Sequence, residues 1–479
     1  MIADLKPYPA MKDSGVPWLG VVPEHWEVRK LRHVLRRVTE RNQPDLPLLS
    51  VVREKGVILR DVTDTDENHN FIPDELGNYK VVRAGQFAMN KMKAWQGSYG
   101  VSNHDGIVSP AYFVFDLIGV DGRFFHAAIR SRAYVPFFTQ ASDGVRIGQW
   151  DLAESRMREV SFLVPPRPEQ VIIVRFLDHA DRRIRRYIRA KQKLIKLLEE
   201  EKQAIIHRAV TSGLDPNVRL KPSGVEWLEE VPEHWEVARL GRLVELVTGF
   251  PFKSEGFTQE KDDIRLLRGV NISPGKIRWN DVVRWPRSDR ENYMAFELSV
   301  GDIILGMDRP IIQSGTRVAT IDESDLPSLL LQRVARIRPK DELRADFLML
   351  LLAGKAFAEY LTPIFTGISV PHLSPEQIRS FRFALPSVDE QEEIVGWTAA
   401  STKKATAAVV DAQREIDLLR EYRTRLIADV VSGKRDVRDA AARLPEEVRG
   451  PGELDEPESL TEVEEELAYA DTAPEEAEA

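Results

Sequence analysis

The 479-residue sequence contains no cysteine. That absence excludes disulfide frameworks, thiolate zinc sites, iron–sulfur clusters and thiol nucleophiles together. No stretch approaches the ~20 uncharged apolar residues of a membrane span, which argues against a membrane protein. Residues 1–10 carry prolines and no apolar run of signal-peptide length, so a cytoplasmic home is expected. Catalytic signatures are missing too: there is no GxxxxGK(S/T) phosphate loop, no GxGxxG turn, no HExxH, and no Asn/Asp-Pro-Pro-aromatic tetrad for holding a flipped base. What is present is the composition of a soluble globular protein, 43% hydrophobic and 30% charged, in a chain long enough for about three structural units.

The net charge of -9 is unevenly spread. Beyond Gly450 there are twelve acidic residues and no Lys or Arg, and this tail reads as disordered because few apolar groups offset its chain entropy and self-repulsion. Two roles fit such a tail, solubilising and autoinhibitory. Without it the remaining chain carries about +3, which leaves room for strongly basic faces.

Internal repetition organises the rest. Lys12–Leu31 (KDSGVPWLGVVPEHWEVRKL) recurs as Lys221–Leu240 (KPSGVEWLEEVPEHWEVARL), with 14 of 20 positions identical. Leu163–Gln170 (LVPPRPEQ) is echoed by Leu385–Gln391 (LPSVDEQ), each leading into a long helical stretch that ends near Ser212-Gly213 or Ser432-Gly433. A fainter pair, Gly85–Met89 and Gly301–Leu305, reads as a turn and a buried strand before a basic loop. The chain is therefore two duplicated halves. Apolar residues at Ile184, Ile188, Ile195, Leu198 and Ile205, and at Val409, Ala412, Ile416, Leu419, Tyr422 and Leu426, form narrow stripes of coiled-coil type that bury most simply against each other. The expected fold class is α+β: two mixed α/β domains joined by two long antiparallel helices in a coiled-coil spacer, with pseudo-twofold symmetry. The expected division is 1–165 first domain, 166–213 first helix, 214–385 second domain, 386–440 second helix and 441–479 acidic tail.

The histidines are scattered. His25 and His234 sit in the repeated Pro-Glu-His-Trp turn, where Trp26 and Trp235 read as anchors and the imidazoles as capping or packing groups. Asp74 with Glu75, and Glu200 near Lys202, read as solvated charge rather than a nuclease pattern. No catalytic or metal-ligating set is expected. Nucleic-acid binding has better support. Asn90, Lys91, Lys93, Trp95, Gln96, Ser98 and Tyr99 lie together between a strand and a Gly-rich turn, and Lys253, Arg268, Asn271, Arg309, Gln313, Ser314 and Arg317 are the analogous set in the second half. Cations suit phosphates and guanine edges, and amides suit adenine. Unlike loops on similar scaffolds point to a two-part target. In the first helix Arg182, Arg183, Arg185, Arg186, Arg189, Lys191, Lys193 and Lys196 form a run without an acid. Either a solvated face or contact with DNA phosphates or an acidic partner explains it, and Arg182, Arg185, Arg189, Lys193 and Lys196 are the partner-docking candidates.

The duplicated SGVxWLxxVPEHWEV segment, the Pro-Pro and Glu-Gln helix starts and the Ser-Gly helix ends resemble the specificity subunit of type I restriction-modification enzymes. Residues 90–112 (NKMKAWQGSYGVSNHDGIVSPAY) and 366–375 (TGISVPHLSP) resemble parts of that family's target-recognition domains. The resemblance covers about residues 10–440 and leaves the tail unexplained. It implies a non-catalytic subunit with two target-recognition domains, each reading half of a split double-stranded DNA site. It also implies two methyltransferase subunits docked along the helices, joined by restriction (motor-nuclease) subunits. Adenine-N6 methylation would use S-adenosylmethionine, and restriction ATP and magnesium, all bound by partners and none by this chain. From the residues alone, two other classes stay open: a protein-binding scaffold with twin domains, and a stand-alone nuclease or methyltransferase with an unrecognised site.

Overall fold

The computed structural model describes residues 5–53, 55–60, 75–143, 150–312, 314–365 and 371–445. Gln313, Asp74, the first half of the 366–375 segment and the acidic tail lie outside them. The described chain forms two compact units. The first runs to Gln192 and resumes at Ala412, and the second is Lys193–Asp411. The first is therefore built from two stretches of sequence and the second from one, and each of the two long helices contributes about half its length to each unit.

In the first unit, strands β1 (Glu27–Lys30), β2 (Leu35–Val38), β3 (Phe87–Met89), β4 (Tyr99–Val101), β5 (Phe113–Leu117) and β6 (Ser161–Val164) make two antiparallel sheets. Four strands lie in the order β2-β5-β3-β4. The remaining two pair Ser161 with Lys30 through Val164 with Glu27, so the residues between them enter and leave on one two-stranded stem. From that stem the chain passes into α1 (Arg167–Ser212), whose Pro168 falls in the first turn, where a missing N–H costs nothing.

The second unit repeats this plan. Strands β7 (Glu236–Arg239), β8 (Val244–Thr248), β9 (Ile303–Gly306), β10 (Val318–Thr320), β11 (Val334–Pro339) and β12 (Arg382–Leu385) give the sheet order β8-β11-β9-β10 and a stem pairing β7 with β12. Every pairing in this plan is again antiparallel. A second long helix follows, α2 (Val388–Val431). The halves diverge between the matched strands: a hairpin of Leu49–Val52 with Gly56–Leu59 in the first, and in the second a three-stranded sheet with Ile264–Leu267 at its centre. The duplication expected from the repeats is therefore a duplication of topology as well.

Sequence-distant residues close each unit. In the first, Trp26 is fully buried and its Nε1 donates to Glu169 Oε1 (3.1 Å) in the opening turn of α1. Tyr8 Oη donates to the same oxygen (2.7 Å), and His25 Nε2 lies 2.7 Å from Oε2. In the second, Trp235 Nε1 (3.1 Å) and His234 Nε2 (2.9 Å) meet Glu390 Oε1 at the start of α2. The tryptophans are anchors, as the repeat implies, and the imidazoles partner a helix-start carboxylate. The glutamine that follows each Glu ties the stem to the domain. Gln170 accepts from Asp121 N (2.6 Å) and donates to Pro165 O (2.7 Å), while Gln391 accepts from Arg344 N (2.8 Å) and donates to Pro386 O (3.1 Å).

The helix ends complete the pattern. Gly213 ends α1 with φ +75, and the site of its absent Cβ is 3.3 Å from Trp235. Gly433, with φ +74, ends α2 against the other copy of the turn, where a Cβ would come within 2.4 Å of Pro23 and 3.2 Å of Trp26. The last segment then returns to the first: Asp436 N donates to Lys6 O and Arg435 to Leu5 O, both at 2.8 Å. Leu426, Val430, Val431, Val437, Ala441 and Leu444 join Tyr8, Trp26 and Phe162 in one core.

Within the first unit the two helices run antiparallel. Arg423 pairs with Asp181 and Glu415 with Lys191 (2.7 Å), the numbers falling along one helix as they rise along the other. The apolar stripes hold at Ile184, Ile188, Ala412, Ile416 and Leu426, all buried. Tyr422 departs from the stripe expected of it and is 39% exposed, because a spacing of three or four residues does not fix on which edge of the seam a residue lies. In the second unit Ala209 and Val210 near the end of α1 share a core with Ile394 near the start of α2. Among the described residues no single helix is long and apolar enough to cross a membrane.

Candidate nucleic-acid interface

Both candidate loops occupy the same place in their sheets, one joining β3 to β4 and the other β9 to β10. The first is shaped by Asn90, which is buried: its Nδ2 donates to Tyr112 Oη (3.1 Å) and its Oδ1 accepts from Met92 N (3.1 Å). Gly97, at φ +96, turns the chain back into β4. Lys93 lies between them, exposed, with Gln96 half-buried beside it. Lys91 is held by Asp151 (2.7 Å). Trp95 packs on Trp150 with ring centroids 5.4 Å apart, and its buried Nε1 has no acceptor among the described residues.

Two of the candidates are corrected by their positions. Tyr99 is fully buried between Phe87 and Phe138, and its Oη donates to Ile129 O (3.4 Å). Ser98, 3% exposed, lies beside it. Tyr99 opens the edge strand of the sheet and Ser98 is buried just before it, so neither presents a face to a duplex, and Asn90 acts as the loop's internal brace.

The sequence gave no notice of Arg130 and His126, which hold this loop from behind. Arg130 donates to Tyr99 O (2.5 Å) and, from its other terminal nitrogen, to Arg53 O (2.6 Å). Nδ1 of His126 accepts from Val101 N (3.1 Å). Burial, with the Arg130 charge adding to it, pushes the His126 imidazole down to about 4. The folded group binds its proton more weakly than the unfolded one. Its contribution is therefore fully present above about pH 6.5 and is lost as pH falls towards 4, up to about 3 kcal/mol in all. Urea titrations of the whole chain at pH 7, 5.5 and 4.5 should show His126→Gln losing less stability than the parent over that interval. Parallel slopes would remove His126 as the cause.

In the second unit Arg309 stands exposed at φ +43, its N–H bonded to Pro371 O (2.9 Å). The preceding Asp308 gathers His372 Nδ1 (2.6 Å) and Arg333 (3.1 Å) around its carboxylate. The 371–375 half of the second resemblance segment is thus brought against the Arg309 loop, with Leu373 N donating to Met307 O (2.7 Å). His372 and Arg333 were missed in sequence because nothing local links them to position 308. Ser314 is exposed in the turn of a small hairpin, Ile311–Ile312 with Gly315–Thr316, and the half-buried Arg317 follows it.

The remaining candidates of this half do not join that cluster. Arg268 and Asn271 are buried: Arg268 pairs with Asp281 (2.5 Å), and Asn271 Nδ2 donates to Arg278 O and Asp281 O while its Oδ1 accepts from Arg268 N. They staple a turn from within, and their burial removes them from the DNA-binding candidates. Lys253 is exposed on a separate turn next to Phe252.

Of the helix cations, Arg182 and Arg189 are exposed and Arg185 bonds Asp181 (2.7 Å); Lys193 and Lys196 are exposed on the part of α1 that belongs to the second unit.

Residues 232–397, which run from the second Trp turn into α2, match the family model described as the type I restriction modification DNA specificity domain. Over that segment the chain is similar to the type I restriction-modification specificity subunits. It is 38% identical over 207 residues to the EcoAI specificity subunit of Escherichia coli, a match covering 42% of this chain and 34% of that relative. To the MjaVIII specificity subunit of Methanocaldococcus jannaschii it is 26% identical over 277 residues, 58% of this chain and 62% of the other. The matched segments thus span about a third and somewhat under two thirds of these specificity subunits. A solved structure described as the basis of complex assembly and conformational transition of the type I R-M system overlays with a TM-score of 0.55 at 16% identity, covering 86% of this chain and 98% of that one. That likeness is one of fold and extends over both halves of this chain.

Proposed function

We propose that this chain reads a bipartite double-stranded DNA target and performs no catalysis itself. It positions adenine-N6 methyltransferase and motor-nuclease partners, which bring their own S-adenosylmethionine, ATP and magnesium, and it works in the cytoplasm. The observation that carries the reading is the pair of equivalent hairpin loops on sheets of identical strand order, presenting different side chains: exposed Lys93 with half-buried Gln96 in one, exposed Arg309 and Ser314 in the other. A common scaffold with unlike tips is what recognition of two unlike half-sequences requires. Support for the partners and their cofactors comes from the resemblance to the type I specificity subunits and not from any group in this chain.

The test is binding of the chain, with its methyltransferase, to duplexes altered in one half-site at a time. Lys93→Ala is expected to cost about 1–3 kcal/mol and relax discrimination in one half only; Arg309→Ala should do the same in the other. Equal loss on every sequence with a shallower salt dependence reassigns the residue to phosphate contact. Salt-insensitive failure of the parent chain to bind any duplex overturns the proposal.

A further inference from the structure

The basic run on α1 is only partly neutralised. Within the first unit Arg185 has Asp181 and Lys191 has Glu415, but Arg186 and Arg189 are exposed and make no ion pair among the described residues. Steps of 7, 11 and 14 residues from Arg175 reach Arg182, Arg186 and Arg189, so at 3.6 residues per turn all four fall within about 40° of one line along the helix. The described chain ends at the head of that line: Arg175 donates to Leu444 O and Pro445 O, both at 3.1 Å. The 34 residues that follow, 446–479, hold fourteen carboxylates and one arginine.

From these facts we infer that the acidic tail is the occupant of the Arg186–Arg189 face of α1, bound in cis and displaced by any polyanion that uses the same face. Reach and charge both favour it. Arg186 and Arg189 lie about 17 and 21 Å along the axis from Arg175, and a flexible chain of the nineteen residues from Pro445 to Glu464 has a root-mean-square span of about 24 Å. A tether of that length presents the carboxylates at about millimolar effective concentration, enough for a weak, multiply charged contact to be populated. Arg186 and Arg189 have no acidic neighbour along the helix, since the sequence has no acid from Arg182 to Leu198. The inference stands independently of DNA reading, because it concerns only this chain.

The absence of cysteine makes the test clean. Ala190→Cys and Ala468→Cys in the full-length chain give two spin-label sites and no others, and double electron–electron resonance reads the distance between them. A narrow distribution below about 25 Å is expected at low salt. It should broaden to that of a free chain at 0.5 M salt, where screening acts within roughly 4 Å. Arg186→Glu with Arg189→Glu should give the broad distribution at every salt concentration. Should that pair disturb folding, Glu462, Glu464, Glu465 and Glu466→Gln removes the attraction from the tail side, outside both cores. A broad distribution in the parent at low salt reduces the tail to a solubilising role and overturns the inference. So does a narrow one that survives both charge variants.

Discussion

Glu169→Ala is expected to cost the first unit about 3–5 kcal/mol, against about 1 kcal/mol in the second for Glu390→Ala. The carboxylate of Glu169 is 7% exposed and accepts from Trp26 and Tyr8 while pairing with His25. Its removal leaves two buried donors without an acceptor, each worth about 1–3 kcal/mol, and opens a gap beneath a tryptophan. Glu390 is 34% exposed and serves Trp235, His234 and, at 3.4 Å, the exposed Ser387 hydroxyl, so water can take its place. Separate unfolding transitions followed by tryptophan fluorescence and circular dichroism in urea give both values. Equal losses in the two variants would contradict the assignment of Glu169 as the closing group of the first unit.

A second large effect concerns target choice. Because β1 pairs with β6 and β7 with β12, residues 31–160 and 240–381 each hang from a stem whose strands are adjacent. Either insert is therefore expected to exchange as a block when the graft keeps the backbone N–H that each helix-start glutamine accepts, Asp121 N for Gln170 and Arg344 N for Gln391. On the proposed function, replacing 31–160 with the corresponding segment of a specificity subunit that the chain resembles should change one half of the bound sequence and leave the other half and the spacing intact. Affinity for the original site should fall by about a thousandfold or more, towards the sequence-independent level. Methylation mapping in cells carrying the hybrid reads both halves at once, and a change in both halves would end the modular account.

The duplicated architecture was legible because it rests on residues that repeat: two Trp turns, two Glu-Gln helix starts, two Ser-Gly helix ends. What joins them was not, because Trp26 and Glu169 are 143 residues apart and a repeat says nothing about which copy meets which. The candidate loops were placed correctly between strands by the turn glycines and the apolar run after each, but the direction of individual side chains was not readable. Tyr99 and Asn271 have residue types common in nucleic-acid contacts and also common as buried braces. The choice is made by Phe138 and by the carbonyls of Arg278 and Asp281, contacts that no local pattern announces. Asn90 carried a usable signal, an Asn at a strand end followed by a turn glycine, which marks a loop that folds on itself.

The return of the last helix and the 435–444 segment to the N-terminal core bears on how the protein is made. A nascent chain leaving the ribosome holds everything the second unit needs once residue 411 has emerged, whereas Tyr8, Trp26 and Phe162 wait for Leu426 to Leu444 before their core closes. The half synthesised first is thus the half finished last, and the interval between them is the period in which a chaperone would find an open apolar surface.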